Sequence, residues 1–267
     1  MRTASEEIGF RLNFAENSKR GELADSLSNT RKVSIYVSKG WKEFGIYVYK
    51  KALGIGERTN YSLYQAITVC ETALQLCEEG NKLICFEAIF VAKSLLSEDL
   101  TGIAAQICEA ANNNNNEYAD PLYVILSCLR LGKDHTPYID WLKKWETKKY
   151  TSVLPGTSEA IAYLINRDEE RLVFTVDAML LAHHKEANNR HSDIYNSPLS
   201  LLSLAPYLIL EQAKFLGMDI QSKILNNKQT LKLGLMFPTE SPDLPKNHKM
   251  PVEVDYLTAK TNLVNTL

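Results

Sequence analysis

The sequence lacks an excess of charge of either sign. Its 30 Lys and Arg residues nearly balance 32 Asp and Glu residues, which leaves a formal net charge of −2. A protein that binds a nucleic-acid backbone needs clustered cations to displace counterions. The basic stretches that begin at Arg31 and Lys143 are short and lie among acidic residues. We therefore expect no nucleic-acid partner.

A long hydrophobic run is also missing. The most apolar stretch, residues 199–216, contains Pro206, Glu211 and Lys214. A membrane-spanning helix needs about 20 mostly apolar residues, so this stretch is predicted to be a buried helix of a soluble protein. The first seven residues lead into a polar segment without the apolar core of a signal peptide. We expect a cytoplasmic protein that does not enter a membrane.

Cysteine is scarce and irregularly spaced. The five cysteines are odd in number, contain no Cys-x-x-Cys pair and fall inside helical patterns. This usage is typical of reduced, buried thiols in a cytosolic protein. The sequence positions concerned are Cys70, Cys77, Cys85, Cys108 and Cys128.

The sequence contains no glycine-rich loop of the kinds that bind a dinucleotide or position a catalytic serine. Gly54-Ile-Gly56 lacks the third glycine and the preceding strand of a dinucleotide-binding loop. No Gly-x-Ser-x-Gly sequence, which would position a nucleophilic serine, is present. We expect a protein that is not an enzyme and that holds no cofactor.

Apolar residues recur at spacings of three and four over nearly the whole chain, which predicts helices. The expected fold is all-α, a stack of about ten antiparallel helices in the manner of a helical-hairpin array. No clean internal repeat accompanies it. The predicted helices cover residues 5–18, 31–53, 61–77, 82–96, 100–111 and 135–149, begin at Asp120-Pro121, Thr157 and Asp168, and end with residues 197–216.

Proline residues indicate the remaining breaks between helices and an irregular tail. Leu154-Pro155-Gly156 is the clearest linker candidate, so the chain is interpreted as helical halves of residues 1–154 and 155–267 in one continuous domain. The tail holds Pro238, Pro242, Pro245 and Pro251. An irregular, Pro-rich C-terminal tail is expected because proline cannot continue a helix.

Histidines form the richest polar cluster. His183 and His184 are adjacent, with Glu186 close by and His191 further along. A zinc-binding helix usually presents two histidines four residues apart on one face, and these spacings do not match. His183 and Glu186 supply at most two ligands, so we expect no metal site and favour a structural or interface role.

Acidic groups and tryptophans allow two interpretations each. Asp168-Glu169-Glu170 lies at a predicted helix N-terminus, where acids complement the helix dipole, although exposed acids also suit a basic partner surface. Trp141 and Trp145 form one ridge, and such a pair belongs more often to a core than to a binding hot spot. The candidate partner-binding residues are Asp168, Glu169, Glu170, His183 and His184.

Five short stretches of the second half resemble the immunity protein 49 family of bacterial polymorphic-toxin systems. They are Asn166-Arg-Asp-Glu, Ala178-Met-Leu-Leu-Ala-His183-His-Lys-Glu, Asn196-Ser-Pro-Leu-Ser-Leu, Leu204-Ala-Pro-Tyr and Leu216-Gly-Met-Asp-Ile220. In that family a helix ending in a His-basic pair is followed by a loop and an apolar helix with a glycine near its end. The resemblance implies a shared helical fold.

The resemblance also implies a function. The protein would be an antitoxin that binds the effector domain of a cognate secreted toxin in the cytosol and blocks its active site or access to its substrate. Two alternatives remain from the residues themselves. One is a helical-repeat scaffold that binds peptides or proteins, and the other is a helical metalloprotein or enzyme built around His183, His184 and Glu186.

Overall fold

The computed structural model describes residues 4–17, 27–55, 59–77, 82–112, 120–147, 155–187 and 198–225. Within these ranges the secondary structure consists of eleven α-helices and one short 3-10 helix, with no strand. The all-α prediction is confirmed. The contacts divide the described residues into two compact units, of which the first contains all described residues up to Leu100 together with Asn112.

The first unit is built from four helices, each of which packs against its neighbour in sequence. The connection between α2 and α3 begins at Gly54, whose φ of 68° is the left-handed conformation that glycine accepts at the end of a helix. Ser28 caps α2 by accepting a hydrogen bond from the backbone N–H of Arg31 at 3.3 Å. The helices are α1 (Ala4–Asn17), α2 (Asn29–Ala52), α3 (Tyr61–Leu76) and α4 (Lys82–Leu95).

Close packing of α2 on α3 depends on Gly40. A Cβ atom built there would lie 2.5 Å from the Cys70 sulfur, so only glycine fits without a shift. This approach brings apolar residues of three helices into one buried cluster. Its buried members are Val33, Tyr36, Val37, Val69, Ala73 and Cys85.

The second unit contains the helices from Thr101 onward. Asp120 caps α6 by accepting a hydrogen bond from the Leu122 N–H at 2.9 Å, and Pro121 occupies the first helical position as predicted. The helices are α5 (Thr101–Asn112), α6 (Pro121–Leu131), α7 (Thr136–Glu146), α8 (Thr157–Asn166), α9 (Glu169–Ala187), α10 (Leu204–Phe215) and α11 (Gln221–Leu225).

The linker expected around residues 154–156 falls inside this second unit. Glu146, at the end of α7, accepts hydrogen bonds from the backbone N–H of Ser158 at 3.0 Å and from the Ser158 hydroxyl. A carboxylate before the linker therefore caps the helix after it. Packing joins α7, α8 and α9 on both sides of the expected boundary between residues 154 and 155.

One predicted helix is wrong in extent. The sequence predicted a single helix over residues 197–216, but Pro198–Ser200 forms a 3-10 helix and α10 begins only at Leu204. Pro206 explains the start, because proline has no N–H and its ring clashes with the turn before it. It is tolerated within the first turn, where backbone N–H groups have no intrahelical partner.

Some sequence predictions lie outside the described residues. They include the Pro-rich tail, the polar loop over residues 188–196, Gly56, Leu154, His191 and most of the asparagine run at residues 112–116.

We expect Gly40→Ala to lower the free energy of unfolding by about 1–3 kcal/mol, because the added methyl group overpacks the α2–α3 contact. Gly9→Ala is the control, since its Cβ meets no atom within 4 Å in α1. That change should leave stability equal or raise it by about 0.5–1 kcal/mol through helix propensity. Urea unfolding of both variants measures the difference, and equal effects would contradict the close approach at Gly40.

Candidate protein-binding surface

Asp168 holds the start of α9. Its Oδ1 accepts a hydrogen bond from the Arg171 N–H at 3.2 Å, and its Oδ2 lies 3.5 Å from the Arg171 guanidinium. Arg167, in the left-handed conformation with φ of 55°, ends α8 directly before it. These two residues make the whole connection between α8 and α9. Asp168 thus has a structural role besides any contact with a partner.

The two glutamates that follow differ in their surroundings. Glu169 forms an ion pair with Lys223 of α11, with both side chains partly exposed. Glu170 is exposed. Surface ion pairs contribute little to stability because water screens them, so Glu170 is the acid of this group most readily available to a partner.

His183 lies in the interior. It is 3% exposed, and its Nε2–H donates a hydrogen bond to the Leu199 carbonyl oxygen at 2.6 Å. Its Nδ1 has no hydrogen-bond partner within the part of the chain that the structure describes. Burial lowers the pKa of the imidazole, so the neutral form is favoured. A direct contact between His183 and a partner is therefore blocked in this conformation.

The structure does not bring the five candidate residues into one site. His184 is exposed near the C-terminus of α9, whereas Asp168, Glu169 and Glu170 lie at the other end. At 1.5 Å of rise per residue, about 22 Å of helix separates Glu169 from His184. The acidic residues and the histidines therefore lie at opposite ends of the same helix.

Between them runs an exposed apolar ridge on α9. Five exposed residues, from Glu170 at its start to Lys185 at its end, follow one another at spacings of four, four, three and four residues. They therefore lie on one side of the helix, and the three in the middle are apolar. Phe174 is 78% exposed, Leu181 is 38% exposed and Ala178 lies between them. Glu170 precedes this apolar row and Lys185 follows it. We call these five residues, Glu170, Phe174, Ala178, Leu181 and Lys185, the α9 ridge.

The opposite side of α9 is buried and anchors the helix, through Leu172, Val176, Met179, Leu180 and His183. A phenylalanine that is mostly exposed on the other side buries little surface within its own chain. Aromatic side chains in such positions are enriched at protein interfaces. The ridge is consequently the strongest candidate for a protein contact among the described residues.

Sequence reasoning did not identify Phe174 and Leu181, although a signal was present. The two residues are seven apart and therefore share a helix face, which is distinct from the stripe of Val176, Met179 and Leu180. A second apolar stripe on a helix that already has a buried one is typical of an additional contact surface.

The tryptophans on α7 have an intermediate position. Trp141 and Trp145 are both partly buried, and their rings make an edge-to-face contact with centroids 6.5 Å apart. Leu142 is the buried residue that anchors α7. The pair is therefore neither a fully buried core element nor a freely exposed ridge.

Other possible sites are less complete. A groove of about 330 Å³ follows α2, and its lining residues Arg31, Ser34, Ile35, Ser38, Lys39 and Lys42 all come from that one helix. Substrate pockets usually draw polar groups from several elements. Among the described residues no three His, Cys, Asp or Glu side chains are grouped so as to hold a metal ion.

Comparisons add no family to these observations. No protein-family model, curated protein or solved structure matches the chain. In the described part of the chain, no helix has the length and apolar character needed to cross a membrane. The immunity interpretation thus rests on the residues of the α8–α10 region and remains a proposal.

We expect Asp168→Ala to lower the free energy of unfolding by about 0.5–2 kcal/mol, because it removes the cap of α9. Glu170→Ala, two residues away and exposed, should change it by less than about 0.5 kcal/mol. Thermal or urea unfolding of the two variants checks this. Equal losses would contradict the capping role of Asp168.

We expect the stability of the protein to fall as pH drops below about 6.5, the ordinary pKa of histidine. The unfolded state then binds a proton that the buried His183 resists, so the unfolded state is favoured at acid pH. His183→Gln should flatten the change in unfolding free energy between about pH 7.5 and pH 5.5.

His184→Gln, a similar change at the exposed neighbour, is the control and should retain the wild-type pH dependence. An unchanged slope in His183→Gln would mean that His183 is protonated as easily in the folded state as in the unfolded one.

Proposed function

We propose that the protein is an immunity protein that binds a cognate secreted bacterial toxin in the cytosol and blocks the toxin's active site or the access of its substrate. The α9 ridge is the observation that carries protein binding, since Phe174 is 78% exposed on an otherwise well-anchored helix. The class of partner comes from the resemblance. Ala178, Leu181 and Lys185 of the ridge lie within the run that resembles the immunity protein 49 family.

The side chains of the α9 ridge determine which kind of toxin surface would be complementary to it. Phe174 and Leu181 require an apolar pocket on the toxin, because burial of an aromatic ring supplies most of the energy at such contacts. Glu170 and Lys185 stand at opposite ends, about 22 Å apart along the helix. A complementary toxin surface would present a basic group near Glu170 and an acidic group near Lys185.

Purification of the tagged protein from its own host, with mass spectrometry of co-purifying proteins, tests the proposal. We expect one stoichiometric partner that carries a C-terminal toxin domain, and co-expression should protect cells from that toxin. Many substoichiometric partners would instead favour the helical-repeat scaffold. Absence of any partner, together with bound metal or a detectable activity, would favour the metalloprotein or enzyme.

Once the toxin has been identified, we expect Phe174→Ala to weaken its binding by about thirty-fold or more, which is typical when an aromatic hot-spot residue is replaced by alanine. The melting temperature should stay near that of the wild type, because the ring is mostly exposed in the unbound protein. Calorimetry or biolayer interferometry gives the affinity, and toxin protection in cells gives the functional effect.

Phe14→Ala is the matched control, since Phe14 is 70% exposed on α1 of the other unit. This variant should bind within about twofold of the wild type, as near-neutral surface positions do. Full affinity in Phe174→Ala would exclude the α9 ridge as the docking surface, although the immunity function itself would still be decided by the purification.

A further inference from the structure

Four of the five cysteines form two close thiol pairs. The sulfur atoms of Cys77 and Cys85 lie 3.6 Å apart, and those of Cys108 and Cys128 lie 3.5 Å apart. All four thiols are free. The sequence predicted reduced, buried thiols, and pairing across separate helices was not evident from spacings of eight and twenty residues.

Access distinguishes the two pairs. Cys77 occupies the C-cap of α3 and is partly exposed, whereas Cys85 in α4 is 0% exposed. Cys108 and Cys128 are each 2% exposed. The fifth cysteine, Cys70, is buried where α3 packs on Gly40. Cys77 is thus the one thiol of the five that a dissolved reagent can reach in the folded protein.

Within this pair the local environment favours Cys77 over Cys85 as the attacking group; the pKa of Cys108 is lowered as well, to about 7, so access alone separates the two pairs. The hydrogen bond from the Cys85 thiol lowers the pKa of Cys77, burial opposes this, and the Lys82 ammonium group adds to the lowering. The same hydrogen bond and burial raise the pKa of Cys85. A partly exposed thiol of lowered pKa beside a buried thiol is the arrangement of a reactive cysteine with a resolving partner.

We propose that Cys77 and Cys85 form a thiol–disulfide exchange site for low-molecular-weight disulfides. The Cys77 thiolate attacks one sulfur of the disulfide, forms a mixed disulfide and releases one thiolate, which takes up the proton that Cys77 lost. The Cys85 sulfur then gives up its proton, attacks the Cys77 sulfur and displaces the second thiol. Two protein thiols are oxidised to one Cys77–Cys85 bond, and one small disulfide is reduced to two thiols.

The bond would join the end of α3 to the first turn of α4. Cys85 belongs to the buried cluster that also contains Val33, Tyr36 and Ala73, while Cys77 packs at its edge. In a reducing compartment the pair remains a dithiol, and a rise in disulfide concentration converts it. The site is independent of the α9 ridge, which belongs to the other unit.

Incubation of the reduced full-length protein with glutathione disulfide tests the proposal. We expect the intact mass to fall by two hydrogen atoms. A non-reducing tryptic digest should contain peptide 59–82 joined to peptide 83–93, with fragment ions that place the bond at Cys77 rather than Cys70. In the native protein iodoacetamide should modify Cys77 at least about tenfold faster than the four other cysteines.

Two variants distinguish the first step, in which Cys77 attacks the small disulfide, from the second step, in which Cys85 resolves the mixed disulfide. Cys85→Ser should stop at the mixed disulfide and retain one glutathione on Cys77, whereas Cys77→Ser should show no change at Cys85. Cys77→Ser alters a partly exposed position, so the test stands even if Cys85→Ser does not fold. A Cys108–Cys128 bond that forms as fast as the Cys77–Cys85 bond, or a Cys77 that is labelled no faster than Cys70, would overturn the proposal.

Discussion

The close approach of α2 and α3 at Gly40 is the constraint on which the first unit depends. The Cys70 sulfur fills the space that any Cβ at position 40 would need, so the two backbones come near enough for Val33 and Val37 to pack with Val69. Cys85 of α4 completes this cluster and thereby lies beside Cys77. The thiol pair is consequently a product of the packing of α4 against α3 and of the buried cluster that α2 shares with them.

Helix positions followed from the sequence because local signals agree with the fold. Asp120-Pro121 predicted the start of α6, and Gly54 and Gly217, both with positive φ, end α2 and α10. The break before α10 was missed because apolar residues continue across it, with Leu201 and Leu202 directly before Leu204. Only the position of Pro206 indicated where the helix could begin.

The candidate site was predicted in part. His183 follows Met179 by four residues and Val176 by seven, so the helical spacing puts it on their buried side and its burial follows from the pattern that predicts α9. The prediction treated His183 as a polar contact residue instead, and it gave no role to Phe174 and Leu181 on the opposite face. The sulfur distance between Cys77 and Cys85 was beyond sequence reasoning, because it depends on how α3 and α4 pack and not on a local spacing.

The inner and outer faces of α9 differ in how much they contribute to stability. Asp168 caps the helix, Glu169 pairs with Lys223 and His183 bonds to Leu199, so both ends and the inner face hold the second unit together. Phe174, Ala178 and Leu181 on the outer face contribute little to that packing. Substitutions on the outer face can therefore change the surface chemistry without altering the fold. The immunity function that we propose would need this separation, since a surface that matches one particular toxin has to change while the scaffold stays folded.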